Sequence, residues 1–335
     1  MTQKQKVVRL EEELKERVSG AAWAKHRTIA VLLPCYNEEL TIGDTVKGFQ
    51  AALPSARVYV YDNNSTDRTC EVAEKAGAIV RQETYQGKGN VVRRMLGDVD
   101  ADIYVLADGD LTYDPTQAGT LIEKLVRENL DMVVGTRQGG GTEAYRRGHQ
   151  TGNRAFNKLV EKLFGSGFTD ILSGYRVFSR RFAKSFPVLS SGFEIETELS
   201  VHALDLRIPA AEVPLPYAPR PEGSTSKLRT YHDGARILWL IMKLYRSLNP
   251  LRFYGSVGLF LAVSSTLLGL PLLVTWLETG LVPRLPTAIL CMGLMQIAVL
   301  SGFLGIVLNS ISKARREARR MRFLDIASVG GQSDR

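Results

Sequence analysis

Cysteine and histidine are both scarce in this chain of 335 residues. The three cysteines, Cys35, Cys70 and Cys291, are odd in number and far apart, so they indicate neither a disulfide framework nor a zinc site. The four histidines are equally scattered, and we interpret each as a surface or core residue rather than a ligand. We therefore expect the soluble part of the chain to stay in a reducing compartment.

The glycine-rich patterns that cradle phosphates are absent as well. Lys88 lies between Gly87 and Gly89, but no Ser or Thr follows it and position 82 is Gln, so the Walker pattern fails. The first predicted strand ends in Pro34-Cys35-Tyr36, without the G-x-G-x-x-G of dinucleotide-binding folds. If this chain binds a nucleotide, carboxylates rather than a glycine cradle surround it.

The N-terminus lacks the apolar core of a cleavable signal peptide. Residues 1–27 carry Val7, Leu10, Leu14 and Val18 at helical spacing in a charged background, which predicts one amphipathic helix. This helix could pack on the next domain, on a sister subunit of a homo-oligomer or on a membrane surface, or it could be a partly frayed surface helix.

Charged residues are missing from two long stretches near the C-terminus, 253–276 and 285–312. Each exceeds the roughly 20 apolar residues that span a bilayer, so we predict two transmembrane helices within 253–312. The alternative is two buried helices of a soluble core. Before them, residues 229–252 mix apolar and basic side chains in a helical pattern that suits the bilayer interface.

The net charge of +8 is unevenly distributed, because a basic block follows the second apolar stretch. Its residues are Lys313, Arg315, Arg316, Arg319, Arg320 and Arg322. A flank beside a membrane segment explains this block better than a nucleic-acid partner, so we expect none. The loop between the two stretches has only two charged residues, Glu278 and Arg284. The positive-inside rule then predicts that both termini are cytoplasmic. We therefore expect a multi-pass protein of the cell membrane with a basic cytoplasmic tail at 313–335.

Residues 28–228 alternate short apolar runs with helical patterns. Strands are predicted at 28–33, 57–61, 78–81, 132–134 and 207–213, and the connections between the early strands are long enough for crossover helices. Such β-α-β units imply an α/β fold with a mostly parallel, Rossmann-like sheet and flanking helices.

The stretch from Asp102 to Pro115 joins a buried strand, Ile103 to Ala107, to the carboxylates of Asp108 and Asp110. On its own, Asp-Gly-Asp is most often a solvated turn. Here it follows a strand end, where ligands of open α/β sheets collect, and its oxygen ligands suit Mg²⁺ or Mn²⁺. We therefore favour a metal site formed by Asp108 and Asp110, with Gly109 allowing the backbone to turn between them.

Several motifs, taken together in order and spacing, resemble the membrane-attached inverting glycosyltransferases that charge polyprenyl phosphates, such as dolichyl-phosphate mannose synthase and undecaprenyl-phosphate glucosyltransferases. The resemblance covers about residues 28–312. The motifs are Pro34-x-Tyr36-Asn37-Glu38, Asp62-x-x-Ser65-x-Asp67, Gly87-Lys88-Gly89, Asp108-Gly109-Asp110, Gly135-Thr136-Arg137, Ser173-Gly174-Tyr175-Arg176 and Arg220-x-x-Gly223-x-x-Ser226-Lys227.

The resemblance implies a role for each of these positions. Pro34, Tyr36, Glu38 and Asp62 would hold the base and ribose of a UDP- or GDP-sugar, with Lys88 nearby, and Asp108 and Asp110 would hold the metal on the diphosphate. Arg137, Arg147 and Thr151 would surround phosphates. Arg220, Ser226 and Lys227 would lie on a loop that closes over the site, and the acceptor would be a polyprenyl phosphate.

Two residues depart from the pattern of these relatives, and one pair has no assigned role. Asn63 stands where many relatives have a second Asp, and Thr112 stands where some have a metal-binding Gln, so the base contact and the third metal ligand stay open. Glu194 and Glu196 could hold sugar hydroxyls or cap a helix.

Two other functions are compatible with such a sheet. A processive polysaccharide synthase would carry a Q-x-x-R-W element, and no Trp in this chain follows an Arg. A non-catalytic nucleotide-sugar-binding membrane scaffold would show binding without turnover.

Overall fold

Short apolar strands and helices alternate from Ile29 onward and form one seven-stranded sheet. The computed structural model describes residues 27–138, 149–221 and 230–330. The strands are β1 Ile29–Cys35, β2 Arg57–Asp62, β3 Ile79–Gln82, β4 Ile103–Leu106, β5 Met132–Gln138, β6 Arg176–Ser179 and β7 Ala210–Pro216. Their order across the sheet is β3-β2-β1-β4-β6-β5-β7, and only β6 runs antiparallel to its neighbours. The predicted mostly parallel α/β sheet is confirmed.

Helices follow the strands along the chain. The helices of the sheet region are α1 Ile42–Ala52, α2 Thr69–Lys75, α3 Lys88–Asp98, α4 Ala118–Arg127, α5 His149–Phe164, α6 Arg180–Ser185 and α7 Ile195–Leu206. A 3-10 turn, Pro115–Gln117, precedes α4, and the side chain of Asp114 accepts a hydrogen bond from Thr116 N at its start. The C-terminal helices are α8 Thr230–Leu248, α9 Pro250–Thr279 and α10 Leu285–Leu324.

Two apolar cores lie on the two faces of the sheet, and alternate residues of β1 divide between them. Ala30 and Leu32 belong to one core, while Val31 and Leu33 belong to the other, and all four are buried. Side chains of successive strand residues point to opposite faces, so a strand covered on both sides is apolar throughout. The helices that cover both faces leave the carboxyl ends of the parallel strands to hold the site.

The late strands differ in detail from the sequence prediction. β6 was not predicted, because it is only four residues long and pairs with β4 and β5, which lie far away in sequence. The last strand lies at Ala210–Pro216 rather than 207–213, because Arg207 ends α7 in the left-handed conformation with φ of 51°. β7 is an edge strand, where prolines are tolerated.

The chain divides into two compact units, residues 1–238 with 320–335, and residues 239–319. The helices α9 and α10 are each long and apolar enough to cross a membrane, judged by length and composition alone. Their packing uses glycines: a Cβ on Gly258 would lie 2.9 Å from the carbonyl oxygen of Ala298, and one on Gly305 would lie 3.3 Å from Cβ of Tyr254. Close approach at small residues is typical of membrane helices.

The last described residues belong to the first unit and pack on it. Phe323 is 2% exposed and joins the core cluster that contains Leu206, and its ring lies 4.5 Å from the guanidinium carbon of Arg181. Val329 is also buried, and its carbonyl accepts a hydrogen bond from Arg27. The C-terminal segment is therefore part of the core of the sheet unit, and α10 continues well beyond Ser312.

Candidate active site

The turn after β4 places Asp108 and Asp110 at the carboxyl end of the sheet. Asp110 is buried, and Thr112 donates to its Oδ1 from both the backbone N–H (3.2 Å) and the hydroxyl (2.6 Å). Burial and the neighbouring charge of Asp108 raise the pKa of Asp110, while Arg220 acts to lower it. The two carboxylates are therefore close enough to interact electrostatically.

The geometry of this turn depends on Gly109 and Leu111, and it corrects the prediction that Gly109 provides the backbone turn. Leu111, rather than Gly109, adopts the left-handed conformation, with φ of 59°. Gly109 is needed for space instead, because a Cβ there would lie 2.7 Å from Sγ of Cys35 on β1. The glycine thus lets the β4 turn approach the end of β1.

Lys88 is the first residue of α3 and binds two carboxylates. Its Nζ lies 2.5 Å from Oδ1 of Asp108 and 2.5 Å from Oε1 of Glu196, which stands in the first turn of α7. Burial alone would lower the pKa of Lys88, but the charges of Asp108 and Glu196 outweigh burial and raise it. These contacts favour the charged form of Lys88, and they engage Oε1 of Glu196.

Glycines bring the backbone close to this lysine. A Cβ on Gly174, in the turn before β6, would lie 2.7 Å from Oδ2 of Asp108 and 3.3 Å from Nζ of Lys88. A Cβ on Gly87 or Gly89 would overlap the carbonyl oxygens of Ser191 and Ser190. The Gly87-Lys88-Gly89 motif is thus a close contact between the start of α3 and the loop that leads into α7.

Arg220 approaches the carboxylate pair from the segment after β7. Its Nη2 lies 2.6 Å from Oδ2 of Asp110. The segment is held beside the β4 turn by a bridge between Tyr113 and Tyr217, whose rings are 5.3 Å apart, and by Ala218 N donating to Thr112 O. Each carboxylate of the pair therefore has a cationic partner from elsewhere in the chain.

The end of β2 carries Asp62 and Asn63, which have different tasks. Oδ2 of Asp62 accepts a hydrogen bond from Ser65 N, whereas its buried Oδ1 has no hydrogen-bond partner among the described residues. Asn63 is fully engaged: its Nδ2 donates to the carbonyls of Glu83 and Tyr85, and its Oδ1 accepts from Gly87 N at 2.6 Å. Oδ1 of Asp62 is thus an unused acceptor, whereas Asn63 holds the loop before Lys88.

The end of β1 brings the remaining predicted base-side residues to the same edge of the sheet. Cys35 pairs with Asp62 in the parallel register, so the residues after each strand are neighbours. Tyr36 is 38% exposed, enough for its ring to stack on a ligand, while Pro34 lies within β1 and Glu38 is nearly buried. Glu38 N donates to the hydroxyl of Thr69, which ties this turn to the start of α2.

Arg137, at the end of β5, is held by a buried acid that the sequence did not reveal. Its Nε and Nη2 donate to the two oxygens of Asp170 at 2.8 and 2.7 Å. Burial would raise the pKa of Asp170, but its hydrogen bonds and charge pairing with Arg137 lower it below the usual value. Two planar groups joined in this way fix the guanidinium plane.

Arg176, in the predicted Ser-Gly-Tyr-Arg motif, is fully buried on β6. Its Nε and Nη2 donate to the carbonyls of Ser173 and Ile171. Burial lowers its pKa to about 10, against the charges of Glu196 and Asp170, which act to raise it. Arg176 therefore shapes the turn that carries Gly174 and does not itself reach the open edge of the sheet.

Four predicted residues cannot be placed in this geometry. Arg147, Ser226 and Lys227 lie outside the described residues, and of Thr151 only the backbone position in α5 is described. The roles of all the predicted site residues, including those placed here, remain predictions.

The donor set around the β4 turn fits a magnesium-type cation. Among the described residues, no group of three or more His, Cys, Asp or Glu side chains could hold a metal ion. Magnesium commonly takes one or two protein carboxylates and leaves its other positions to water and substrate phosphates. Asp108 and Asp110 match that requirement, and Thr112 acts by fixing Asp110.

Comparison with known proteins places this site in a family. A model of glycosyl transferase family 2 matches residues 30–186, the segment that contains the end of β1, the start of α3 and the β4 turn. Glycosyltransferase AglJ of Haloferax volcanii is 38% identical over 250 residues, which cover 74% of this chain and 81% of AglJ. The chain belongs to glycosyl transferase family 2.

Two further proteins are similar to this member of family 2. A protein named dolichyl-phosphate hexose transferase, also from Haloferax volcanii, is 30% identical over 64% of this chain and 93% of its own length. Glucosyl-3-phosphoglycerate synthase from Mycobacterium tuberculosis, solved with Mn²⁺, UDP-glucose and glycerol 3-phosphate, aligns with a TM-score of 0.56 and 25% identity over 67% of this chain and 82% of that one. The predicted α/β fold and the predicted membership of a glycosyltransferase family are thus confirmed.

Proposed function

We propose that this family 2 glycosyltransferase transfers a sugar from a nucleoside diphosphate to a polyprenyl phosphate, with inversion and with a divalent cation. The observation that carries the proposal is the Asp108 and Asp110 pair at the end of β4, with Lys88 and Arg220 against it, in a chain that continues into two helices of membrane-spanning length. The name of the dolichyl-phosphate hexose transferase relative supports a lipid phosphate acceptor.

The acceptor chemistry needs little help from the protein. A phosphate monoester is largely dianionic at neutral pH, because its second pKa is ~6. One of its oxygens attacks the anomeric carbon and forms a new C–O bond, while the C–O bond to the nucleoside diphosphate breaks on the opposite face. No proton has to move in this step, so a dedicated general base is unnecessary.

The protein's main task is to neutralise and position two anionic substrates. Asp108 and Asp110 would hold Mg²⁺ or Mn²⁺, which when bound supplies positive charge to the departing diphosphate. Arg137, fixed by Asp170, and Arg220 would contact phosphate oxygens, together with Arg147 and Lys227. Cationic groups fixed in advance stabilise developing charge better than mobile ones, because they need no reorganisation during the reaction.

The donor's nucleoside would lie at the ends of β1 and β2. The unpartnered Oδ1 of Asp62 can accept a hydrogen bond from the base or ribose, and the exposed ring of Tyr36 offers a stacking surface. Pro34 and Glu38 would complete this side. Thr151 and Ser226 would contribute hydroxyls near the phosphates.

The C-terminal helices suggest where the reaction takes place. We place the sheet unit at the cytoplasmic face of the cell membrane, with α9 and α10 as a hairpin, so that a lipid acceptor is available without leaving the bilayer. The product would be a polyprenyl-phosphate sugar used in building cell-envelope glycans or glycoconjugates.

The proposal is tested by transfer with the full-length protein in membranes. Membranes with this chain or with its Asp110→Asn variant are incubated with polyprenyl phosphate, Mg²⁺ or Mn²⁺ and a panel of labelled UDP- and GDP-sugars. We expect one donor to give an organic-soluble lipid carrying one sugar, with the opposite anomeric configuration to the donor. Polymeric product would instead indicate a processive synthase, and donor binding without transfer would indicate a scaffold.

A further inference from the structure

Glu196 stands outside the carboxylate pair but is joined to it through Lys88. The side chains of Lys88 and Glu196 are 9% and 6% exposed, whereas that of Asp108 is 30% exposed. The ammonium group of Lys88 is therefore shared between the buried carboxylate of Glu196 and the more exposed carboxylate of Asp108. Removing one partner of a buried ion pair leaves an uncompensated charge, which is strongly destabilising. Here Lys88 and Glu196 are partners of each other.

The surrounding backbone packs closely around Lys88 and the glycines on either side of it. Gly174 lies against Lys88 and Asp108 on one side, and the carbonyls of Ser190 and Ser191 lie against Gly87 and Gly89 on the other. The Ser190 loop is itself fixed, because Glu198 of α7 accepts hydrogen bonds from the N–H groups of Leu189 (2.8 Å) and Ser190 (2.7 Å). One helix, α7, thus both anchors the loop that packs beside Gly87 and Gly89 and supplies the second carboxylate to Lys88.

The charges around the β4 turn show what Glu196 contributes. Asp108, Asp110 and Glu196 carry three negative charges, and Lys88 and Arg220 carry two positive charges. The cluster has a net charge of −1 with Glu196 and would be neutral without it. Without Glu196, Lys88 would pair with Asp108 alone and would fully neutralise a carboxylate that the cation needs.

We propose that Glu196 is a positioning residue that holds Lys88 and balances its charge, so that Asp108 retains the negative charge required to bind the divalent cation. This inference rests on the proposed metal-dependent transfer. In this role Glu196 would act through Lys88, which it contacts, and not on the cation or the sugar directly. The same arrangement leaves Lys88 charged and close to where the diphosphate would lie.

The test measures Mn²⁺ binding to the full-length protein in detergent by the electron paramagnetic resonance of free Mn²⁺, with and without UDP or GDP. Glu196→Gln keeps the shape and removes the charge, and we expect about tenfold weaker Mn²⁺ binding. Glu196→Asp keeps the charge and should recover most of the affinity. Asp205→Asn removes an acid from the other end of α7 and should bind Mn²⁺ like the parent protein.

Lys88→Met separates a charge effect from a structural one. If the charge balance is right, this variant binds Mn²⁺ no more weakly than the parent, because a competing cation has been removed, while Glu196→Gln binds it more weakly. In transfer assays, Glu196→Gln should raise the Mn²⁺ concentration for half-maximal rate by about tenfold and leave the rate at saturating Mn²⁺ within about threefold of the parent.

Three outcomes would overturn the inference. If Glu196→Gln binds Mn²⁺ within about twofold of the parent, Glu196 has no such role, although the proposed function stands. If Lys88→Met and Glu196→Gln weaken binding equally, the ion pair is only a structural support. If the parent binds no Mn²⁺ with or without nucleotide and still transfers sugar in EDTA, the metal part of the proposed function fails together with this inference.

Discussion

Nη2 of Arg220 lies 2.6 Å from Oδ2 of Asp110, so a cation of the chain itself lies against a carboxylate that we propose binds the metal. A divalent cation at the same carboxylate would repel the guanidinium. Arg220 would then turn towards the diphosphate or the acceptor phosphate, whose oxygens suit its planar donors. This ion pair links metal binding at the β4 turn to the position of the segment that follows β7.

The first prediction concerns the carboxylate pair. Asp110→Asn should reduce the rate of transfer by at least about 1,000-fold. The substitution replaces a charged ligand with a neutral one and so weakens binding of the cation that neutralises the leaving diphosphate. Asp114→Asn is the matched control, since Asp114 lies on the same segment and caps the 3-10 turn. Transfer is measured with labelled donor, and the fold is checked by thermal unfolding. Metal-dependent activity near the parent level would contradict the assignment of Asp110.

The second prediction separates binding from turnover at Arg220. Arg220→Ala should bind Mn²⁺ more tightly, because the competing guanidinium is gone, and should still transfer sugar about 100-fold more slowly. Donor affinity, measured by calorimetry, should change by less than about threefold. Arg127→Ala, which removes an exposed arginine from α4, is the control. Much weaker donor binding with normal turnover at saturation would make Arg220 an ordinary donor ligand.

The sequence predicted those parts of the site that depend on local pattern. Each of β1, β2 and β4 is an apolar run that stops where polar residues begin, so the positions of Asp62 and Asp108 follow from the strand ends. The partners of Lys88 and Arg137 could not be predicted in the same way. Glu196 and Asp170 come from segments far along the chain, and only the assembled sheet brings them to these cations.

The contrast between local pattern and contacts of distant segments also explains why two strands were predicted incorrectly. β6 inserts antiparallel between β4 and β5, an arrangement that no local periodicity encodes. The final strand was predicted three residues too early, because α7 continues to Leu206 and Arg207 ends it, whereas Pro214 and Pro216 remain in register with β5 at the sheet edge. Phe323 follows a block of basic residues, and the sequence pattern there does not distinguish the buried Phe323 from the exposed Leu324.

The third prediction addresses Asn63, one of the two residues that depart from the family pattern. Asn63→Asp should destabilise the protein by about 2 kcal/mol, because a carboxylate cannot donate to the carbonyls of Glu83 and Tyr85 and leaves them unsatisfied. Asn64→Asp is the matched control, since Asn64 is the exposed neighbour and donates to Thr84 O. Thermal unfolding in detergent measures both. Equal stability of the two variants would show that the loop before Lys88 does not depend on Asn63.

The fourth prediction tests the membrane hairpin. A reporter fused after Arg335 and one inserted near Gly280, where α9 ends, should report opposite sides of the membrane, with the C-terminal reporter cytoplasmic. The basic residues that follow the apolar part of α10 favour this orientation. Insertions in the same loop at Pro283 serve as a second position to exclude local disruption. Signals from the same side would mean that α9 and α10 do not both cross.

The last prediction concerns the end of α10, where the chain returns to the sheet unit. Phe323 is buried against the core cluster that contains Leu206, and its ring lies 4.5 Å from the guanidinium carbon of Arg181 and 5.3 Å from that of Arg320. Arg181 is itself fixed by a bidentate pair with buried Asp131. Phe323→Ala should therefore destabilise the protein by about 3 kcal/mol, since it removes a core aromatic ring and its cation contacts.

Leu324→Ala is the matched control for this substitution, because Leu324 is the next residue and is 56% exposed. Thermal unfolding of the two full-length variants in detergent, with donor binding as a second measurement, should show a loss of stability only for Phe323→Ala. If the C-terminal segment were merely a solvated basic tail, neither substitution would change the unfolding temperature. A loss of stability for Phe323→Ala alone would instead show that the part of α10 beyond its apolar stretch stabilises the sheet unit.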